Sequence, residues 1–450
     1  MGVFGHPFVI ESKLPSRTLP PRAHRTGGQN PTLPAKMHVR RNDPMNNRAK
    51  FVVVALCIAA IVARLVAAYA IDAPARTGGE ETLIARHLLD GNGFSFTAFG
   101  YTGPTSVRGP LLPMLLAAIE SIFSQRAVIP VAIAINAIAG AVATALAYII
   151  ARRLALGTLA TTAFAAAVAL WPTQVFAAIY LQPMSVAITL SLGAICLLLP
   201  NDARRAQDAH AGLHYTLSAG ACTGAALLGE PILLFPIALV ALVLLGRRPV
   251  SLCVFAAGVL LLVGPWLYRN ALVHGRPTPI TNTFAAALFR GNSDRATGSI
   301  HRDIRGGRPH RMADDLTPQQ FDALRGRPEA DRNSRLWQWA TAWIGDHPAA
   351  YVKLCGARLV KTFWLDVDHP YARSPLAWLP RTLAAAATIV ALLPSRRRRL
   401  ALAACAIAVT IALAAAPALA EARNSVFVDL PQLLAAACLL DRRSLSADTK

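Results

Sequence analysis

The chain reads as an all-α polytopic membrane protein, on three observations. Hydrophobic residues make up 54% of its 450 residues and charged ones only 15%, against about a quarter charged in soluble domains. The apolar residues gather in runs near the length needed to cross a bilayer, about 20 residues for a helix. Basic clusters at Arg152-Arg153, Arg204-Arg205, Arg247-Arg248, Arg396–Arg399 and Arg442-Arg443 flank those runs, where positive charge marks the cytoplasmic side.

The formal charge of +21 raises nucleic acid as a partner. However, the arginines sit beside apolar segments and form no stripe of the kind that meets phosphates along a duplex, so nucleic acid is set aside. Of seven cysteines, Cys57, Cys196, Cys222, Cys253, Cys405 and Cys438 lie inside apolar runs as small hydrophobes. No Cys-x-x-Cys or Cys/His metal spacing occurs. Residues 1–50 are rich in Pro, Arg, Asn and Gly, cannot bury a core, and read as a basic cytoplasmic tail. A start at Met37 or Met45 is the alternative. The first apolar run lacks a small-residue cleavage site and reads as an uncleaved anchor.

The spans follow in order. Phe51–Ile71 exits the cytoplasm, so the loop 72–126 lies outside. Within that loop Pro110–Phe123 is short, carries Glu120, and reads as a helix lying at the interface. Ala127–Ala151 returns inward, Leu154–Phe176 goes out, and Ala178–Leu199 comes back, with Pro172 and Pro183 near their outer junction. Tyr215–Gly229 and Pro231–Gly246 form either one tilted helix or a hairpin broken at Glu230. The hairpin keeps every later basic cluster inside and is preferred. Val250–Tyr268 then exits, residues 269–375 form a non-cytoplasmic domain, and Leu376–Leu393, Leu400–Ala416 and Val426–Leu440 complete the bundle before the tail 442–450. That makes about ten crossings, with residues 51–268 as the first membrane module and 376–441 as the last. Both termini are then cytoplasmic.

The polar stretch Gly79–Pro113 carries the candidate chemistry. Glu80 and Glu81 open a helical pattern with Leu83, Ile84, Leu88 and Leu89 as its apolar stripe. Carboxylates there stabilise a helix N-terminus by about 0.3–1 kcal/mol, which is reason enough for them to be present. Arg108, isolated at the membrane face, either snorkels to the interface or holds a phosphate. Glu230 sits at the hairpin tip and is read as a cap for the turn begun by Pro231.

The order Glu80, IARHLLDGNGFSF, PTSVRGPLLP resembles the first outer loop of bacterial membrane glycosyltransferases of the C-type (GT-C) fold, relatives of protein O-mannosyltransferases and lipid A aminoarabinose transferases. Leu112 and Gly109 depart from an aromatic and a proline common there. The stretch Gly264–Ile300, with PWLYRN and GNSDRATG, is similar to a second element of that family, although Asp294-Arg295 departs from its usual Pro. His347-Pro348 with the following Arg358 and Phe363-Trp364 is similar to a third, and Arg423 with Pro431 to a fourth, where Asn424 replaces a Tyr.

The resemblance implies a GT-C-like bundle and a transferase that takes sugar from a polyprenyl-phosphate donor and passes it to a lipid, glycan or protein acceptor. The site would face away from the cytoplasm, at the bacterial inner membrane. It makes Glu80, by its spacing to Ala85-Arg86, the base that accepts the acceptor's proton. Arg108, Arg269, Arg358, Lys361 and Arg423, all at outer membrane boundaries, become candidates for the donor phosphate. For Arg358 and Lys361 snorkelling beside Phe363 and Trp364 is the alternative. Glu81, Asn270, Asn292 and Glu230 are possible supporting residues. Some relatives use a divalent ion, and no clear ligand set for one occurs here. The competing readings are a transporter or flippase for a lipid-linked glycan, and a non-catalytic envelope assembly subunit. The absence of paired internal repeats counts against transport.

Overall fold

The computed structural model describes residues 45–71, 79–199, 209–299, 312–393, 397–419 and 424–441. Helix α1 (Asn47–Ala70) begins where the Asn46 side chain accepts the Ala49 N–H at 2.8 Å. Ala60, Arg64 and Ala68, one turn apart, form its single buried stripe, while Phe51, Val54, Ile58 and Val62 face outward. A helix apolar on its exposed face has a lipid as its natural solvent.

Among the described residues five helices are long and apolar enough to cross a membrane: Asn47–Ala70, Gln125–Arg153, Thr158–Ile179, Pro249–His274 and Arg398–Ala415. Shorter apolar helices cover Leu111–Ile122, Met184–Leu198, Pro231–Leu245, Pro375–Ala391 and Ser425–Leu440. In chain order α2 is Glu80–Leu89, α3 Leu111–Ile122, α4 Val128–Arg153, α5 Thr158–Leu170, α6 Pro172–Ile179, α7 Met184–Leu198 and α8 Ala209–Gly229. There follow α9 Leu234–Leu245, α10 Pro249–His274, α11 Phe284–Gly291, α12 Pro318–Leu324, α13 Glu329–Asp346, α14 Pro348–Phe363, α15 Pro375–Ala391, α16 Arg398–Ala415 and α17 Ser425–Leu440.

Several expectations need correction. The span expected over Leu154–Phe176 starts at Thr158 and breaks at Trp171, because Pro172 has no N–H to continue the helix and instead starts α6. The next begins at Met184 after Pro183, not at Ala178. Helix α10 runs past Tyr268 to His274 and stops where Gly275 turns left-handed at φ 64°. The chain is also not wholly helical: β1 (Ser95–Ala98) and β2 (Tyr101–Pro104) pair antiparallel inside the first loop. Their two-residue turn, Phe99-Gly100, has both φ values positive, as a right-twisted hairpin requires.

Backbone packing decides the path at Glu230. A Cβ added to Gly220 would lie 2.1 Å from the Phe255 carbonyl, one on Gly258 2.3 Å from the Leu217 carbonyl, and one on Gly224 2.8 Å from the Val259 carbonyl. Gly220 meets Phe255 and Gly258, and Gly224, one turn on, meets Val259 and Leu262, so α8 and α10 run parallel, held close by a small-residue stripe. Parallel neighbours need a return between them, and α9 supplies it after the break at Glu230.

At one end of the bundle three loops meet. Arg397 Nε meets Asp441 at 2.6 Å, and the same carboxylate accepts the Gly157 N–H at 3.1 Å. The loops after α4, before α16 and after α17 therefore share a face. Arg204, Arg205, Arg396, Arg442 and Arg443 lie outside the described residues.

Inside the bundle, Arg381 on α15 pairs with Asp429 on α17 at 2.9 Å, with side-chain exposures of 1% and 0%. Arg381 also donates to the Thr362 and Trp364 carbonyls, and Asp429 accepts from the Thr173 hydroxyl. The pair thus ties α6, α14, α15 and α17 together. Removing one partner strands a buried charge, so Asp429→Ala should cost about 3–5 kcal/mol. The double variant Arg381→Met/Asp429→Leu should recover most of that loss, as measured by thermal unfolding in detergent; equal destabilisation by single and double variants would count against the pair.

Candidate functional site

Helix α2 carries the two carboxylates at its first two positions. Gly79 caps it without a side chain, and Ile84 and Ala85 turn one face into the core. Glu81 shares that buried face, and its side chain is 11% exposed against 38% for Glu80. Both reach Arg108: its Nε lies 2.7 Å from Glu80 and 3.2 Å from Glu81. No other nitrogen of that guanidinium is bonded among the described residues.

The loop that carries Arg108 is held from several directions. The buried Glu329, at the first position of α13, accepts the Ser106 N–H at 3.2 Å and the Thr105 hydroxyl. Ser106 Oγ donates to Asn270 Oδ1 at 2.8 Å and lies 2.9 Å from His274 Nε2. Because the hydroxyl proton goes to Asn270, the geometry assigns a proton to His274 Nε2. Arg269 closes the set by donating to the Thr105 carbonyl at 2.6 Å and the Phe94 carbonyl at 2.8 Å, with its guanidinium 4.8 Å from the Trp266 ring centroid. Although Ser106, His274 and Glu329 lie together, Ser106 is fully buried and one imidazole nitrogen faces both neighbours. A nucleophilic triad needs an accessible hydroxyl and separate nitrogens, so this is a clasp.

Past the clasp, Gly109 lies on α8; a Cβ there would stand 2.0 Å from the Leu228 carbonyl. Only glycine permits that approach, and it sets Arg108 against Glu230. The result is a cavity of about 50 Å³ lined by Glu81, Arg108, Glu230, Thr281 and Thr283. It has room for a few water-sized groups. Glu230 therefore departs from its expected role: its side chain makes no capping bond to the Pro231 turn, and it is buried at the cavity wall.

The other expected phosphate ligands are placed elsewhere. Arg269 spends its donors on the loop, as above. Arg358 is fully buried and donates to the Ala416 carbonyl at 2.9 Å, to the Pro417 carbonyl at 3.0 Å and to Asn292 Oδ1 at 2.9 Å, as well as to the Gly291 carbonyl. It clamps α11, α14 and the end of α16 in place of snorkelling at an interface. Asn292 and Asn270 are fixed in the same two networks, and Lys361 binds Asp368 and the Thr297 carbonyl. Arg423 lies outside the described residues. No group of three or more His, Cys, Asp or Glu able to hold a metal occurs among the described residues.

The hairpin tip is docked outside the cavity. Arg332 donates to the Ala98 carbonyl at 3.0 Å and lies 5.6 Å from the Phe99 ring centroid, and Gly326 N–H donates to the Phe99 carbonyl at 2.8 Å. Burial pulls the Arg332 guanidinium below its ordinary pKa, with Glu329 opposing. Thr105 and Ser106 fall inside the PTSVRGPLLP match but had no role assigned by sequence, and His274 and Glu329 were not singled out; Pro328-Glu329 as a helix start is a local signal for the last. Glu329→Ala leaves the Ser106 N–H and the Thr105 hydroxyl without their acceptor at a buried site, at about 1–3 kcal/mol for each group. It should lower the detergent melting temperature and expose residues 95–110 to protease, whereas Glu80→Gln should leave both unchanged.

Neither a protein-family profile nor a curated protein matches this chain. Among solved structures it is similar to ArnT from Cupriavidus metallidurans bound to undecaprenyl phosphate, with 13% identity and a TM-score of 0.40 over 88% of this chain and 78% of that one. The apo state of the same protein gives 14% identity, the same TM-score and the same coverage. Values this low carry no argument about chemistry, which rests on the residues themselves.

Proposed function

We propose that this chain is a multi-pass membrane glycosyltransferase moving a sugar from a polyprenyl-phosphate donor to a lipid, glycan or protein acceptor, with a bacterial inner-membrane location and about ten crossings. The observation that carries the reading is Arg108, oriented through Nε by two glutamates while its terminal amino groups stay open beside a cavity. That cavity lies on the outer loops, away from the face that gathers Arg397, Asp441 and Gly157. Basic loops stay in the cytoplasm, so the site faces the periplasm.

A lipid-phosphate donor presents its phosphate at the membrane surface, where Arg108 meets it with two parallel donors. The acceptor oxygen attacks the anomeric carbon as the carbon–oxygen bond to phosphate breaks, and the anomeric configuration inverts. The phosphate leaves with its negative charge stabilised by Arg108. The acceptor's proton passes to a carboxylate. Spacing pointed to Glu80, but Glu81 lines the cavity, so the geometry favours Glu81 as base and Glu80 as the partner that sets Arg108. The cavity has room for only a few water-sized groups, so most of the sugar would lie beyond it.

Ionisable groups inside a bundle are the mark of a transporter. Here Arg381 and Asp429 are sealed by each other and by Thr173, Thr362 and Trp364, which argues for a structural tie. Membranes holding the wild type should release polyprenyl phosphate from a radiolabelled donor. Glu81→Gln and Arg108→Ala should each lower that rate about 100-fold at equal protein level, and Glu80→Gln should lower it less. Full activity in Glu81→Gln with loss in Glu80→Gln would return the base to Glu80. A wild type that never consumes such donors refutes the class.

A further inference from the structure

A second concavity lies behind the wall of the first. Its volume is about 400 Å³, within the range of about 300–1,000 Å³ typical of ligand sites. Arg276, Asn282, Phe284, Asn333, Trp337 and Gln338 line it. Phe284 and Trp337 are each 47% exposed, and their ring centroids stand 6.1 Å apart at 40°. Two large aromatic faces are thus left open on a polar outer domain, set within a rim of amides. Asn333 and Trp337 stand four residues apart on α13, as do Ser334 and Gln338, so two adjacent rows of that helix line the groove.

The polar rim is shaped by internal bonds. Asn333 Nδ2 donates to the Asn282 carbonyl at 2.6 Å, and Arg276 donates to Ser334 Oγ and the Ala330 carbonyl, each at 2.8 Å. Asn282 Nδ2 is buried and makes no hydrogen bond among the described residues.

Residues 281–284 separate the two concavities. Thr281 and Thr283 line the Glu81–Arg108 cavity, while Asn282 and Phe284 line this groove. Neighbouring residues thus line the two spaces in turn, and one short segment of chain serves both. Asn282 N–H donates to the Ser106 carbonyl at 2.7 Å, which fastens the wall to the loop carrying Arg108.

We propose that the groove of Phe284, Trp337 and the Asn282, Asn333 and Gln338 amides binds a saccharide, the sugar portion of the acceptor. Pyranose rings carry an apolar C–H face and a rim of hydroxyls that both donate and accept. Open aromatic faces match the first, and amides, which also do both, match the second. An acyl chain would leave the amides unpaired, and an anion would find Arg276 already engaged by Ser334 and Ala330. As the acceptor's site, the groove rests on the transferase reading above; as a saccharide site, it stands by itself.

The test uses the full chain in nanodiscs and saturation-transfer NMR with mannotriose, chitotriose and arabinotriose. At least one should receive saturation from the protein. Trp337→Ala should weaken its binding at least tenfold, and Trp337→Phe should retain most of it. Trp337 is exposed, so neither variant threatens folding. Absence of transfer from all three sugars, or binding indifferent to Trp337→Ala, overturns the proposal, the second result pointing to a membrane-interface aromatic. Donor consumption by the same preparations is measured in parallel. Sugar binding without donor consumption refutes the transferase reading and leaves the groove standing; donor consumption without sugar binding does the reverse.

Discussion

Arg108 stands at its cavity because the residues just before it are tied down by two helices at once, α13 and α10. Glu329 on α13 takes the Ser106 N–H and the Thr105 hydroxyl, Asn270 and His274 on α10 take the Ser106 side chain, and Arg269 takes the Thr105 carbonyl. A loop has no ladder of its own, and its polar groups must find partners or water. Here they find partners in α13 and in the end of α10. The loop is thereby joined to both helices, and Gly109 can press against the Leu228 carbonyl without drifting away.

Guanidinium groups perform two different tasks in this protein. Arg64, Arg269, Arg358 and Arg381 are buried or half-buried and aim their donors at backbone carbonyls, most of them at helix ends and loops. Carbonyls at helix ends lack intrahelical donors, and an apolar surrounding makes each such gap costly. One arginine fills several of them with a rigid fork, which a lysine would not. Arg108 differs because carboxylates bind it through Nε alone. Its terminal amino groups make no hydrogen bond among the described residues, whereas those of the four clamps do.

The site was partly legible beforehand. Glu80, Glu81, Arg108 and Glu230 stood out as ionisable groups near apolar runs, and Glu81, Arg108 and Glu230 do share one cavity. The choice between the neighbouring glutamates was not legible, because spacing along the chain does not say which side of a short helix becomes the inner one. Packing of Ile84 and Ala85 makes that choice. The hairpin was overlooked although FSFTAFGYTG offers aromatic residues around a glycine turn. Its strands have four residues each, and the surrounding helical pattern outweighed them.

Amino-acid order alone determined the class of protein and the positions of most apolar helices, because these depend on local hydrophobicity and on charges at segment ends, and it left residues 215–246 as either a hairpin or one tilted helix. Proline positions likewise announced the interruptions near residues 172 and 183. Tertiary structure alone decided which arginines are clamps, that α8 and α10 run parallel with α9 returning between them, and that Glu329 belongs beside Ser106, more than two hundred residues away in the chain. Those outcomes depend on which buried donors and acceptors meet across distant segments. No local pattern encodes such a meeting, since the energy lies in the pairing and not in either residue.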